Sequence, residues 1–171
     1  LYTQQRKWPE ALADYNEVLT IRQDVSAAYV GRGRVNLENG QVDKALKDFN
    51  QAVAINANAP NVYFWRSLAW RRKGDTDRAL DDIARAFTQA QSGDFGPLLV
   101  RGQIYSAKGD YTRAIADFDA VLALVPDNAQ AKQLRQSALA MQADVAKARE
   151  KPAAPAPAPP PPGTSAAAPV R

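Results

Sequence analysis

Between Tyr63 and Phe87 the chain shows helical periodicity twice, in two runs hinged at Lys73-Gly74-Asp75. Tyr63, Ser67 and Trp70 recur at three- and four-residue steps in the first run, and Ala79, Ile83, Ala86 and Phe87 in the second. That spacing predicts two amphipathic helices. Gly74 is placed to take the left-handed conformation that ends one helix, and Asp75 to cap the next. A hairpin this short leaves apolar surface uncovered on both helices, so it predicts similar units stacked beside it.

Those units are present. Gly40, Gly74 and Gly109 lie 34 and 35 residues apart, and Ala11, Ala45, Ala79 and Ala114 keep the same step. An aromatic or Ile trails each alanine by four residues (Tyr15, Phe49, Ile83, Phe118), and a small residue stands seven before each glycine (Gly33, Ser67, Gly102). A fixed period of this size marks a repeat array. On these residues the chain resembles the tetratricopeptide repeat family, whose unit is a helical hairpin of about 34 residues. The resemblance covers roughly residues 1 to 128. Tyr2, Trp70 and Tyr105 occupy the family's aromatic place before the turn, from which Asn36 departs. Tyr29, Tyr63 and Leu98 fill the bulky place early in the first helix. Pro126 follows the family's proline place, while Ala57 and Gln91 do not. Arg32, Arg66 and Arg101 stand where the family has leucine, which is similar to its bacterial "RG" variety. The resemblance implies an all-α fold, a right-handed superhelix (α-solenoid) of helical hairpins with a C-terminal capping helix.

The expected organisation is a partial first repeat over 1–24, whole repeats over 25–58, 59–92 and 93–128, and a capping helix over 129–150. Pro9 falls at the start of a helix, where its missing N–H does no harm. The extra residue between the second and third whole repeats is expected within 91–97, with Pro97 in the first turn of the next helix. Ala131, Leu134, Ala138, Met141 and Val145 form one stripe on the capping helix, expected to cover the last repeat. From residue 151 to 171 the chain is mostly Pro and Ala and reads as a disordered tail; an extended stretch over 152–162 would span about 34 Å. Arg149-x-x-Pro152-x-x-Pro155 matches a proline-groove ligand pattern, but such composition produces matches unaided.

Composition narrows the chemistry. A 46% hydrophobic and 23% charged chain is ordinary for a globular protein, and no apolar run has the length of a membrane span. The net charge of +4 favours acidic partners weakly and lacks the dense basic stripe of a nucleic-acid binder. With no Cys and no His, thiol chemistry, zinc-thiolate sites and the commonest general base are missing. Gly31-Arg32-Gly33 lies inside a helix instead of after a strand, so it is no phosphate loop. Asp81 and Asp82 point from successive helical positions and read as solvated and structural charges. The expectation is a non-catalytic protein with no metal and no cofactor. Leu1 is not Met, so the native start is expected upstream, and both cytoplasmic and periplasmic locations stay open.

Two constellations remain. Asp14, Asp48, Asp82 and Asp117 form one column of the second helices, and Arg32, Arg66 and Arg101 one column of the first. They suggest guanidinium–carboxylate pairs stitching helices together, either within a repeat (Arg32–Asp48) or between repeats (Asp14–Arg32), with the second arrangement preferred. A ligand gripped by these arginines is the functional alternative. The other constellation follows from the resemblance, in which first helices line a concave ligand-binding face. It implies contacts from Val30, Arg34 and Leu37, then Phe64, Trp65, Leu68, Arg71 and Arg72, then Leu99, Val100 and Gln103. Phe64 and Trp65 matter most, because the hairpin already uses Tyr63, Ser67 and Trp70 for packing; Trp65 packing on Val30 or Val100 is the plainer reading. Family members that hold the acidic C-terminus of heat-shock chaperones use Lys, Asn and Arg at places that here carry Val30, Arg34, Trp65, Gly96 and Val100, so that use is not expected. The partner implied is a protein or peptide, apolar with some acidic character. A structural segment of a larger bacterial enzyme or envelope protein, and self-association into a homo-oligomer, are the alternatives.

Overall fold

The structure, a computed structural model, describes residues 8–59, 61–90 and 93–150. Tyr2, the helix expected before Trp8 and the Pro/Ala segment after Glu150 lie outside the described residues. Eight helices follow in order among the described residues: α1 (Trp8–Ile21), α2 (Ser26–Glu38), α3 (Val42–Ile55), α4 (Val62–Lys73), α5 (Thr76–Gln89), α6 (Gly96–Ala107), α7 (Tyr111–Leu124) and α8 (Ala129–Glu150). The pairs α2–α3, α4–α5 and α6–α7 are hairpins, and each second helix also packs on the first helix of the next unit. The first helices touch one another in sequence, α2 on α4, α4 on α6 and α6 on α8. The result is a solenoid of helical hairpins with α2, α4, α6 and α8 as one continuous inner row.

Local chemistry sets the turns. Gly74 and Gly109 end their helices at φ values of +86° and +79°, which only glycine adopts without strain. The carboxylates of Asp75 and Asp110 then accept from the backbone N–H of Arg78 and Arg113, at 3.0 and 3.1 Å, and cap α5 and α7. The extra residue of the third unit falls between Gln89 and Gly96, and Pro97 sits in the first turn of α6.

What closes each hairpin is a large side chain seated on a small one. A Cβ built on Gly33 would stand 2.6 Å from Phe49 Cε1, and one on Gly102 would stand 2.6 Å from Phe118 Cε1. The rings therefore lie directly on backbone, and both are fully buried. In the middle unit the sizes change together: Ser67 replaces Gly and Ile83 replaces Phe. The Ser67 hydroxyl, buried there, donates to the Phe64 carbonyl at 2.7 Å, so no polar group is stranded.

The same column changes character on α8. On α8 the place of Gly33, Ser67 and Gly102 is taken by Gln136, and that of Tyr29, Tyr63 and Leu98 by Lys132; both are exposed. Ala131, Leu134 and Ala138 pack against the last hairpin, but the expected stripe does not continue: Met141 and Val145 are 49% and 37% exposed. At 22 residues α8 runs about 33 Å against about 21 Å for the 14-residue α7, so its final turns overhang their partner.

Because the contact sits on backbone, Gly33→Ala overpacks the first hairpin and is expected to cost about 1–3 kcal/mol in chemical denaturation. Adding Phe49→Leu to that variant recovers part of the loss. An unchanged unfolding midpoint for Gly33→Ala alone would contradict the close seat.

Candidate functional site on the inner helix row

The arginine column is internal to the fold. Arg32 Nε and Nη2 donate to the two carboxylate oxygens of Asp48 at 3.1 and 2.7 Å, Arg66 grips Asp82 at 2.7 and 2.7 Å, and Arg101 grips Asp117 at 2.9 and 2.6 Å. The pairs form within each repeat, and the between-repeat pairing preferred from sequence does not occur. Folding a first helix onto its own second helix brings residues sixteen apart face to face, while Asp14 is exposed. What does reach across repeats is the remaining guanidinium nitrogen: Arg32 Nη1 donates to Asn16 at 2.7 Å and Arg66 Nη1 to Asn50 at 3.0 Å. Asn16 and Asn50 also lie 34 residues apart, a recurrence the sequence carried. The aspartate hydrogen bonds hold all three guanidinium groups above their ordinary pKa, against the opposing effect of burial. These arginines are fully used by the fold.

Asn36 now has a reason. It is buried and its amide donates to Asp48 at 3.0 Å, a third bond on that carboxylate. Trp70 and Tyr105, its counterparts in the next two units, instead lie under the guanidinium groups of Arg78 and Arg113, at 4.7 and 4.4 Å from the ring centroids.

The residues expected on the concave face divide by depth. Val30 and Leu99 are 9% exposed, Val100 6% and Leu37 1%, and all four belong to the core. They stand on helices of the inner row, yet their side chains are taken up by packing and offer little contact area. Arg34 and Arg72 are exposed, and Phe64, Trp65, Leu68, Arg71 and Gln103 are half-buried. On α4, Phe64, Leu68 and Arg71 follow at steps of four and three, so one stripe runs from an aromatic end to a cationic end.

At the aromatic end Phe64 and Trp65 meet edge to face, with centroids 5.5 Å apart and planes at 85°. Trp65 also packs on the core, and the Arg34 guanidinium lies over its ring at 4.3 Å. Beside the pair is a cleft of about 240 Å³. Asn61, Phe64 and Trp65 form one wall, Ala86, Gln89 and Ala90 at the end of α5 another, and Asp94, Gly96 and Pro97 a third. Gln89 Oε1 is buried there with no hydrogen-bond partner. Sequence reasoning missed Asn61, Gln89, Asp94 and Pro97, because they belong to linkers and helix ends that follow no period. The two glycines and Pro97 around the insertion were the one available signal.

At the cationic end Arg72 reaches across to α2, where Nη1 donates to the Leu37 carbonyl at the helix C-terminus. Arg71 makes no hydrogen bond or ion pair with any described residue, and its Nε is buried. Burial, and then the neighbouring charge of Arg72, push its guanidinium below the usual range. Among the described residues no group of three or more Asp or Glu is placed to hold a metal ion, and no helix is long and apolar enough to cross a membrane.

Stacked helical hairpins with a single inner row and one open, partly aromatic wall define a helical-repeat solenoid of the kind that presents a surface. A family model described as tetratricopeptide repeat matches residues 1–61 and 99–159, and the chain belongs to that family. Solved structures agree on the fold. The Arabidopsis OM64 TPR domain is similar with 23% identity and a TM-score of 0.62, over 67% of this chain and 94% of that one. The first TPR of Spaghetti (RPAP3) bound to the HSP90 peptide SRMEEVD shows 19% identity and a TM-score of 0.63, over 69% and 93%. YrrB, described as a TPR protein with an unusual peptide-binding site, shows 22% identity and a TM-score of 0.68, over 84% and 74%. No curated protein is significantly similar to the chain.

For the arginine column, Arg66→Ala leaves Asp82 buried and unpaired and is expected to cost about 3 kcal/mol or more. The double variant Arg66→Ala, Asp82→Ala should lose distinctly less than the two singles added together. A cycle on Arg66 and Asp48 should show no coupling; denaturant unfolding of these variants measures both.

Proposed function

We propose that the chain is a non-catalytic scaffold that holds a peptide or a segment of another protein against the open face of α4 and the cleft beside it. The observation that carries this reading is the Phe64–Trp65 pair: two large aromatic side chains, half exposed, lining a cleft between three helices. Monomeric proteins seldom leave such a pair at the mouth of a concavity without a use, and buried aromatic and arginine contacts supply most of the affinity in protein interfaces. Gln89 Oε1, buried and unpartnered at the same cleft, is an acceptor for a backbone N–H of an incoming strand.

Similar solved structures support a peptide ligand, since one is described as bound to an HSP90 peptide and another as having an unusual peptide-binding site. The manner of binding differs. Two of the places that family members use to hold a chaperone C-terminus carry Val30 and Val100, which are core residues here. Arg34 is occupied by stacking on Trp65 at a third. The ligand contacts proposed are therefore Phe64, Trp65 and Leu68 for apolar groups, with Arg34, Arg71, Arg72 and Gln103 around them.

Capture of binding partners on the immobilised chain, followed by affinity measurement on the partner recovered, tests the assignment. Trp65→Ala is expected to weaken that affinity by about 2 kcal/mol, roughly 30-fold, while the thermal melt stays cooperative. Equal affinity for a folded Trp65→Ala variant would remove the cleft from the function.

A further inference from the structure

The arginines of this chain sort into two groups by what neutralises them. Arg32, Arg66 and Arg101 hold aspartates inside their hairpins, Arg135 on α8 pairs with Asp119, and Arg78 and Arg113 pair with the capping aspartates. On the inner face the rule stops. Arg34, Arg71 and Arg72 have no carboxylate within ion-pair distance among the described residues. Arg34 has the Trp65 ring and Arg72 the Leu37 carbonyl, each a partner with no net charge. Arg71 has nothing, although it is half-buried with its Nε sealed from solvent.

A guanidinium partly removed from water without a counter-charge is unfavourable, and proteins normally pair or expose it. Arg85 on α5 also lacks a carboxylate, but it is exposed and meets the Tyr63 hydroxyl and ring; the half-buried exception, Arg71, sits on the one wall left open. The cleft at the other end of the same wall is mixed in charge: Asp94 lines it, with its carboxylate accepting from Gly96 N–H at 2.9 Å, and Arg34 lines it too. At the aromatic end these two charges offset one another, whereas Arg71 and Arg72 face no carboxylate, so an acidic group is drawn more strongly to the cationic end. Six to seven residues of α4 separate Phe64 and Trp65 from Arg71, about 10 Å along the helix axis. A segment in the polyproline-II conformation covers about that distance in three residues and returns its side chains to the same face.

We infer, resting on the peptide-binding reading above, that the segment held here carries an Asp or Glu about three residues from a bulky apolar side chain. The apolar side chain enters the cleft at Phe64 and Trp65, and the carboxylate meets Arg71. The acid is a side chain within the segment, not a chain terminus, so a free C-terminus is not required. A carboxylate at the Nη atoms supplies the counter-charge that the fold omits, and a two-point contact suits that end of the guanidinium.

Random peptides displayed with their C-termini fused to a coat protein, selected on the full chain, test this. The enriched sequences are expected to carry an aromatic or large aliphatic residue with Asp or Glu about three positions away. An amidated synthetic copy should lose at least tenfold in affinity with Arg71→Gln. It should lose a similar amount when its own acid is changed to the amide on the unaltered chain, and the two losses should not add. Arg71→Gln should not lower the Tm of the free chain, since it removes an uncompensated charge. Enriched peptides whose binding depends on Trp65 but which lack the acid, or which bind Arg71→Gln equally well, overturn this inference and leave the peptide-binding reading standing. If no selected peptide depends on Trp65, both fall.

Discussion

This solenoid depends on one close approach, shown where the Phe49 and Phe118 rings of the second helices lie directly on the backbone of the first at Gly33 and Gly102. It requires a residue with almost no side chain at one place per repeat, and Gly33, Ser67 and Gly102 supply it. Once the hairpin is closed there, the first helix has one face committed to its partner. A second face is committed to the neighbouring repeat. Only the inner row of α2, α4, α6 and α8 keeps a side free. The surface open to a ligand is a remainder of packing, and its composition depends on which inner side chains the stack still needs.

That dependence divides the inner row. Aliphatic residues of the row (Val30, Leu37, Leu99, Val100) vanish into the two core clusters, while the larger side chains of α4 stay partly exposed. Charge is divided along the same line. Guanidinium groups within the hairpins meet carboxylates in two-point contacts and cross to asparagine in the next unit, so they tie units together. Those on the open wall have neutral partners or none. A protein that is only mildly basic overall therefore leaves positive charge without a carboxylate partner on this wall, where it acts on what approaches.

The fold was highly legible in the sequence because a repeat states each rule several times. Gly40, Gly74 and Gly109 marked the turns, the alanine and aromatic columns marked the hairpin seam, and the family was evident from their agreement. The Arg–Asp partners were not, because a column spaced by 34 is equally consistent with pairing inwards or across; only the hairpin's geometry separates sixteen residues from eighteen. Position on the inner row was readable for Val30 and Leu37 as for Phe64 and Trp65, but depth was not. Depth depends on how near α2, α4 and α6 come to each other, and no column encodes that distance. The cleft was least legible, since it joins the end of α5, the aperiodic linker and the start of α6. Asn36, which broke the aromatic column, became intelligible only once its amide was seen on Asp48.

Gln136 gives this architecture a direction of growth. An added hairpin could enter at any of the inter-repeat joints, where one small residue and one ring arrive together and bring their own seam. Joined after α8 it would face a bulky amide and a lysine where a seam is needed, and it would hang from the array as a separate body. Lengthening such a protein, by gene duplication or by design, is therefore an event of its interior, with the terminal helix carried outward unchanged each time.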